Sequence, residues 1–154
     1  AFVLGNTGKA DTVYCLDAAT GREVWKQPAM RNHMNACVLV DGHLYGFDGD
    51  ERKSTKPRLA CLSAKTGKVL WSRGGMGKGS LMAAGGRLIV LSETGELSVG
   101  PASPEGWRPL ARAQILKGTC WTMPVLANGR IYCRSYAGKL VCLDVRAAGQ
   151  GRGE

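Results

Sequence analysis

At 154 residues the chain is long enough for one ordinary domain, and 22 glycines against 6 prolines suit short strands joined by tight turns better than helices. Lysine and arginine outnumber aspartate and glutamate by 21 to 12, a formal net charge of +9. No block of five or more like charges occurs, which argues against a nucleic-acid patch, and no apolar run is long enough for a membrane-spanning helix.

Residues 1–27 read as a partial unit. A strand over 2–5 leads through a loop over 6–11 to an alternating strand over 12–16, a turn over 18–21 and a closing strand over 23–26. Ala1 stands inside a strand-like run, so the N-terminus reads as cut, and the lack of a signal peptide says nothing about export. Residues 30–73 make the fullest unit, with strands over 35–40, 44–47, 59–62 and 69–71. Asp41-Gly42 is its hairpin turn, and a polar loop covers 48–57. Residues 74–113 follow with strands over 81–84, 88–91 and 97–99 and a Gly85-Gly86 hairpin. A longer segment over 100–107 then replaces the usual turn, and 110–111 supplies a fourth strand. Residues 114–146 give strands over 122–126, 131–133 and 140–143 around an Asn128-Gly129 hairpin. The remainder, 147–154, reads as a disordered natural C-terminal tail.

Two features turn this into a fold. Leu16 to Trp25 returns 46 residues later as Leu62 to Trp71, each copy running strand, Thr-Gly turn, strand, Trp. The hairpin glycines Gly42, Gly86 and Gly129 are 44 and 43 residues apart. Four antiparallel strands per repeat of that length describe an all-β propeller of three and a half to four blades. Each blade must bury both faces against neighbours. Trp25 and Trp71 suit that task, because a large flat ring can cover the next blade while its N–H finds a carbonyl.

Six cysteines occur with no C-x-x-C pair, which argues against zinc or dithiol chemistry. Cys15, Cys61 and Cys142 precede a Leu in the same repeat slot and read as small buried hydrophobes. A disulfide among Cys37, Cys120 and Cys133 stays open if the parent protein is exported.

The run Cys15-x-Asp17-x-x-Thr20-Gly21-x-x-x-Trp25 resembles the tryptophan-docking motif of quinoprotein-type β-propellers, with Cys in place of the usual Ala. The second copy, Cys61-x-Ser63-x-x-Thr66-Gly67-x-x-x-Trp71, also replaces Asp by Ser. The resemblance assigns docking roles to Asp17, Thr20, Gly21, Trp25, Thr66, Gly67 and Trp71. It extends to the C-terminal half of bacterial PQQ-like repeat proteins, which form rings of about eight blades. That group includes PQQ-dependent alcohol dehydrogenases and the BamB-like outer-membrane assembly scaffolds, and it implies a periplasmic or cell-envelope setting. The dehydrogenases hold PQQ with calcium beneath a disulfide of adjacent cysteines. No Cys-Cys pair exists in this chain, so the expectation is a non-catalytic scaffold with no cofactor, no metal site and no catalytic residues of its own. The alternative is the C-terminal half of a dehydrogenase whose cofactor ligands lie upstream.

Propeller ligands gather at the channel mouth. Alignment on the hairpin glycines makes Met34, Lys78 and Trp121 equivalent, and likewise Asn35, Gly79 and Thr122. Candidate ligand-binding residues are therefore Arg31, Asn32, His33, Asn35, Lys78, Ser80, Trp121 and Thr122. They would face a protein partner or a small-molecule or sugar ligand. His43, beside a hairpin, reads as surface. A half ring would also leave two open blade faces through which copies can associate.

Overall fold

The computed structural model describes residues 12–31, 35–49 and 56–146. The expectations for 2–11, most of the polar loop, the tail, and Asn32 and His33 lie outside these residues. The described chain contains thirteen strands and no helix. A two-stranded sheet holds β1 (Val13–Leu16) and β2 (Glu23–Gln27). Four strands in simple up-and-down order follow: β3 (Val38–Val40), β4 (His43–Asp48), β5 (Arg58–Ser63) and β6 (Val69–Arg73). The third sheet repeats the order with β7 (Ser80–Ala84), β8 (Arg87–Leu91), β9 (Glu96–Pro101) and β10 (Ala111–Gln114). The last holds β11 (Val125–Ala127), β12 (Arg130–Arg134) and β13 (Leu140–Asp144).

The three inner hairpins share one turn geometry. Asp41 and Gly42, Gly85 and Gly86, and Asn128 and Gly129 all have φ between 45° and 74°. Positive φ at both central residues defines the type I′ turn, whose twist matches the flanking strands, and Asp-Gly, Gly-Gly and Asn-Gly are the pairs that adopt it at least cost.

Alternation along the strands gives each sheet two apolar faces, and the faces interleave. Val13, Cys15 and Trp25 of the first sheet meet Leu44, Ala60 and Leu62 of the second. Tyr45, Phe47, Leu59 and Cys61 on the opposite face of the second sheet meet Leu81, Leu88, Val90 and Trp107 of the third. Ile89, Leu91 and Leu97 then meet Ile131 and Cys133 of the fourth. Burial raises the thiol pKa of both Cys61 and Cys133 to about 11, so these sulfurs act as apolar filler.

Specific bonds cross the same seams. Trp25 Nε1 donates to the Ala64 carbonyl at 2.9 Å, and Trp71 Nε1 to the Ser103 carbonyl at 2.9 Å. Each ring thus reaches from the outer strand of one sheet to a loop of the next.

Three details differ from the sequence expectation. The inner strands β3 and β11 begin at Val38 and Val125, later than 35 and 122. Pro124 has no amide hydrogen to offer a ladder, and Asn35 and Thr122 send their side chains to carbonyls instead. Leu110 precedes β10 and is exposed, although its N–H still donates to the Val99 carbonyl. None of the six cysteines forms a disulfide, and Cys142 is exposed where Cys15 and Cys61 are buried. Cys142 lies on the far face of the last sheet, which no other described sheet covers.

Candidate binding face at the loop end of the blades

Up-and-down order puts two sets of connections at one end of every sheet. These are the links between sheets (28–37, 74–79 and 115–124) and the loops joining β4 to β5, β8 to β9 and β12 to β13. The inner hairpins and the Thr-Gly turns occupy the other end. Of the candidate ligand residues, Arg31, Asn35, Lys78, Ser80, Trp121 and Thr122 fall at the first end, and the docking residues fall at the second.

Polar bonds tie the link segments to one another and to their own sheets. Asn35 Nδ2 donates to the Gly79 carbonyl at 3.0 Å. The buried Ser80 hydroxyl donates to the Thr122 carbonyl at 2.8 Å, and the Thr122 hydroxyl to the Arg134 carbonyl at 2.8 Å. The alignment on hairpin glycines therefore corresponds to real neighbours. These bonds engage backbone carbonyls, so Asn35, Ser80 and Thr122 hold the links in register.

Lys78 and Trp121 come together: the ammonium lies 5.8 Å from the indole centroid, within cation–π range. Tyr136 meets the same indole edge-on, with centroids 5.9 Å apart and planes at 64°. Tyr136 is 76% exposed and Trp121 is half-buried, so the pair presents aromatic surface to solvent.

The residue that builds this arrangement is Glu93. One carboxylate oxygen accepts the Lys78 backbone N–H at 2.9 Å, and the other accepts Trp121 Nε1–H at 2.8 Å. Its own N–H donates to the Met76 carbonyl, and its carbonyl accepts from the Cys120 N–H. Gly77 has φ +60, and a Cβ there would collide with the Glu93 carboxylate. Hydrogen bonds to a carboxylate are about twice as strong as neutral ones, so Glu93 clamps two links to the turn between β8 and β9. Sequence reading takes Glu93 as one acid of a Glu-Thr-Gly-Glu turn. Nothing local announces that its partners lie 15 and 28 residues away.

Arg31 forms a separate unit. Its guanidinium grips the Asp48 carboxylate with two bonds, Nε to Oδ1 at 2.8 Å and Nη2 to Oδ2 at 3.1 Å, and its backbone N–H adds a third at 3.0 Å. Met30 just before it is buried with φ at 51°, a strained conformation that aims Arg31 at Asp48. Asp48 is a second residue the sequence reading missed.

The donor set for a metal is not met here. No group of three or more His, Cys, Asp or Glu residues is arranged to hold an ion among the described residues. The face offers aromatic edges, an ammonium and hydrogen-bonding backbone, which suit recognition of a ring or an extended partner segment.

Consecutive four-stranded antiparallel sheets, packed face to face with their link loops gathered at one end, define a β-propeller repeat protein. The chain belongs to the PQQ-like repeat family described as outer membrane protein assembly factor BamB, whose profile matches residues 9–103. Solved structures of two designed proteins share the fold. The computationally designed Ika4 protein superposes with a TM-score of 0.66 at 14% identity, covering 89% of this chain and 82% of that one. The designed Ika8 protein gives 0.50 at 10% identity, covering 89% of this chain and 54% of that one. BamB from Moraxella catarrhalis gives 0.47 at 18% identity, covering 86% and 51%. The chain thus spans about half the length of the BamB structure. No curated protein matches it. No helix among the described residues is long and apolar enough to cross a membrane.

Proposed function

We propose that this chain is part of a non-catalytic propeller scaffold of the cell envelope that binds a protein partner at the Lys78–Trp121–Tyr136 face. The observation that carries the reading is the Glu93 clamp. It spends a carboxylate on holding an indole and a lysine-bearing loop in place while their outer surfaces stay open to solvent. Exposed aromatic side chains in a rigid setting are what protein interfaces use as anchors. Membership of a family described by outer-membrane protein assembly supports that setting and that class of partner.

The test replaces Trp121 and Tyr136 together by Ala in the cell that encodes the chain, and measures the folded fraction of outer-membrane barrels by heat-modifiability on gels. The proposal expects that fraction to fall while the variant's abundance holds. An unchanged folded fraction in the double variant sinks the reading. The dehydrogenase alternative is tested separately by adding PQQ with calcium to the purified chain. Neither absorbance nor melting temperature is expected to move, and a saturable shift in either overturns the non-catalytic reading.

A further inference from the structure

Between the second and third sheets, at their outer strands, lies a cleft of about 250 Å³ that does not include Lys78, Trp121 or Tyr136, although one wall is the start of the same 74–79 link. Its lining includes Arg73, Met76, Glu96, Ser98, Trp107 and Arg112. One wall is the end of β6 and the link after it, and the other is formed by β9 and β10. Arg73 Nη1 donates to the Trp107 carbonyl at 2.7 Å, which fixes that guanidinium across the seam.

The other charges are left without partners. Ser98 and Arg112 face each other across β9 and β10, and Glu96 lies two residues from Ser98 on the same face. Arg112 and Glu96 are therefore diagonal neighbours with Cβ atoms about 7–8 Å apart. Among the described residues no hydrogen bond or ion pair occupies the Arg112 guanidinium or the Glu96 carboxylate. The buried Ser98 hydroxyl makes only a long bond, 3.5 Å to the Val90 carbonyl. Further along the same face lie the apolar Leu88 and Val90, with Gln114 opposite Glu96. A polar set placed at its outer end, around a gap, is a recess shaped for a ligand with complementary charges.

We propose that this cleft binds a small zwitterion of the α-amino-acid class. A carboxylate matches the planar fork of Arg112 and the remaining donors of Arg73. An ammonium beside that carboxylate matches Glu96, and Ser98 can bond either group. A simple anion would meet the Glu96 charge, and a simple cation would meet two arginines. A molecule carrying an ammonium and a carboxylate on one carbon meets neither penalty. The volume is below the 300–1,000 Å³ typical of drug-sized ligands, which restricts the occupant to a small molecule. Met76 and Trp107 supply the apolar part of the lining, so an amino acid with an apolar side chain fits best.

The test is isothermal titration of the full chain with L-leucine, acetate and methylamine, repeated on Arg112→Gln and Glu96→Gln. L-leucine is expected to bind saturably, with acetate and methylamine weaker by about tenfold or more. Arg112→Gln is expected to weaken L-leucine by about tenfold, and Glu96→Gln to weaken L-leucine while leaving acetate as it was or tighter. The proposal is overturned if L-leucine gives no saturable heat, if acetate binds as tightly, or if neither variant changes L-leucine affinity. Because either variant can carry the result, misfolding of one leaves the test intact.

Discussion

Asp17 and Ser63 occupy the same slot in the two docking motifs and do different amounts of work. Asp17 Oδ1 accepts from the Ala19 N–H at 3.0 Å, the Thr20 N–H at 2.8 Å and the Thr20 hydroxyl at 2.9 Å. The bonds from Thr20, then that from Ala19, hold the Asp17 carboxyl below its ordinary pKa. Ser63 Oγ accepts only the Thr66 N–H, at 3.3 Å. Restoring the acid with Ser63→Asp should therefore raise the melting temperature at pH 7. The new carboxyl would have a folded-state pKa below its unfolded value. Its stabilisation is then present above the ordinary aspartate pKa of about 3.9 and fades as the pH falls through the lowered one. Melting curves at pH 7 and pH 3 check this; a gain that is equal at both would reject the carboxylate explanation. The Asp-to-Ser difference is visible in the sequence as a departure from the motif. Its consequence becomes visible only when the donors are counted.

At the scale of elements, the two Thr-Gly turns share a backbone but differ in their surroundings. Gly21 and Gly67 have φ of +68° and +72°, so either would strain if given a side chain. A Cβ on Gly21 would meet nothing within 4 Å, whereas one on Gly67 would lie 2.5 Å from Trp25 Cε3. The docking tryptophan of one sheet stands on the turn glycine of the next. Gly21→Ala is expected to cost about 1 kcal/mol, the backbone term alone. Gly67→Ala should cost about 1–3 kcal/mol more through overpacking at the seam. Urea unfolding of the two variants compares them directly, and equal midpoints would mean that the ring does not depend on the glycine.

The elements themselves were legible because alternation, hairpin pairs and repeat spacing are local signals. Every described strand lies within a residue or two of its expected position except β10, which runs three residues further, and β3 and β11, which start late where Asn35 and Thr122 send their side chains to carbonyls. The candidate face was legible in part. Equal spacing from the hairpin glycines placed Lys78 beside Trp121, but Glu93 and Tyr136 sit in loops whose geometry depends on neighbouring sheets, and Asp48 ends β4. Arg31 turned out to be committed to Asp48, a pairing over 17 residues that no repeat rule predicts.

For the whole molecule, the far face of the last sheet decides behaviour in solution. Val125, Tyr132 and Cys142 form a cross-strand row there. The corresponding row of the second sheet is Val38, Tyr45 and Cys61. In the second sheet Tyr45 is 1% exposed and Cys61 0%, because the third sheet covers them. In the last sheet Tyr132 is half-buried, Cys142 is exposed, Val125 is 52% exposed and Leu140 63%. A row built from the same residue types as a buried seam, left open, is an apolar patch of the kind that drives association. Propeller sheets bury such faces only against another sheet of matching curvature, and a second copy can offer one. The isolated 154-residue chain is therefore expected to self-associate, with apparent mass by light scattering rising with concentration. Val125→Lys with Leu140→Lys should shift that equilibrium toward the monomer by placing two charges on that face. A monodisperse monomer at all concentrations, or a double variant that associates as strongly as the parent, would mean that this face is not the one that drives assembly.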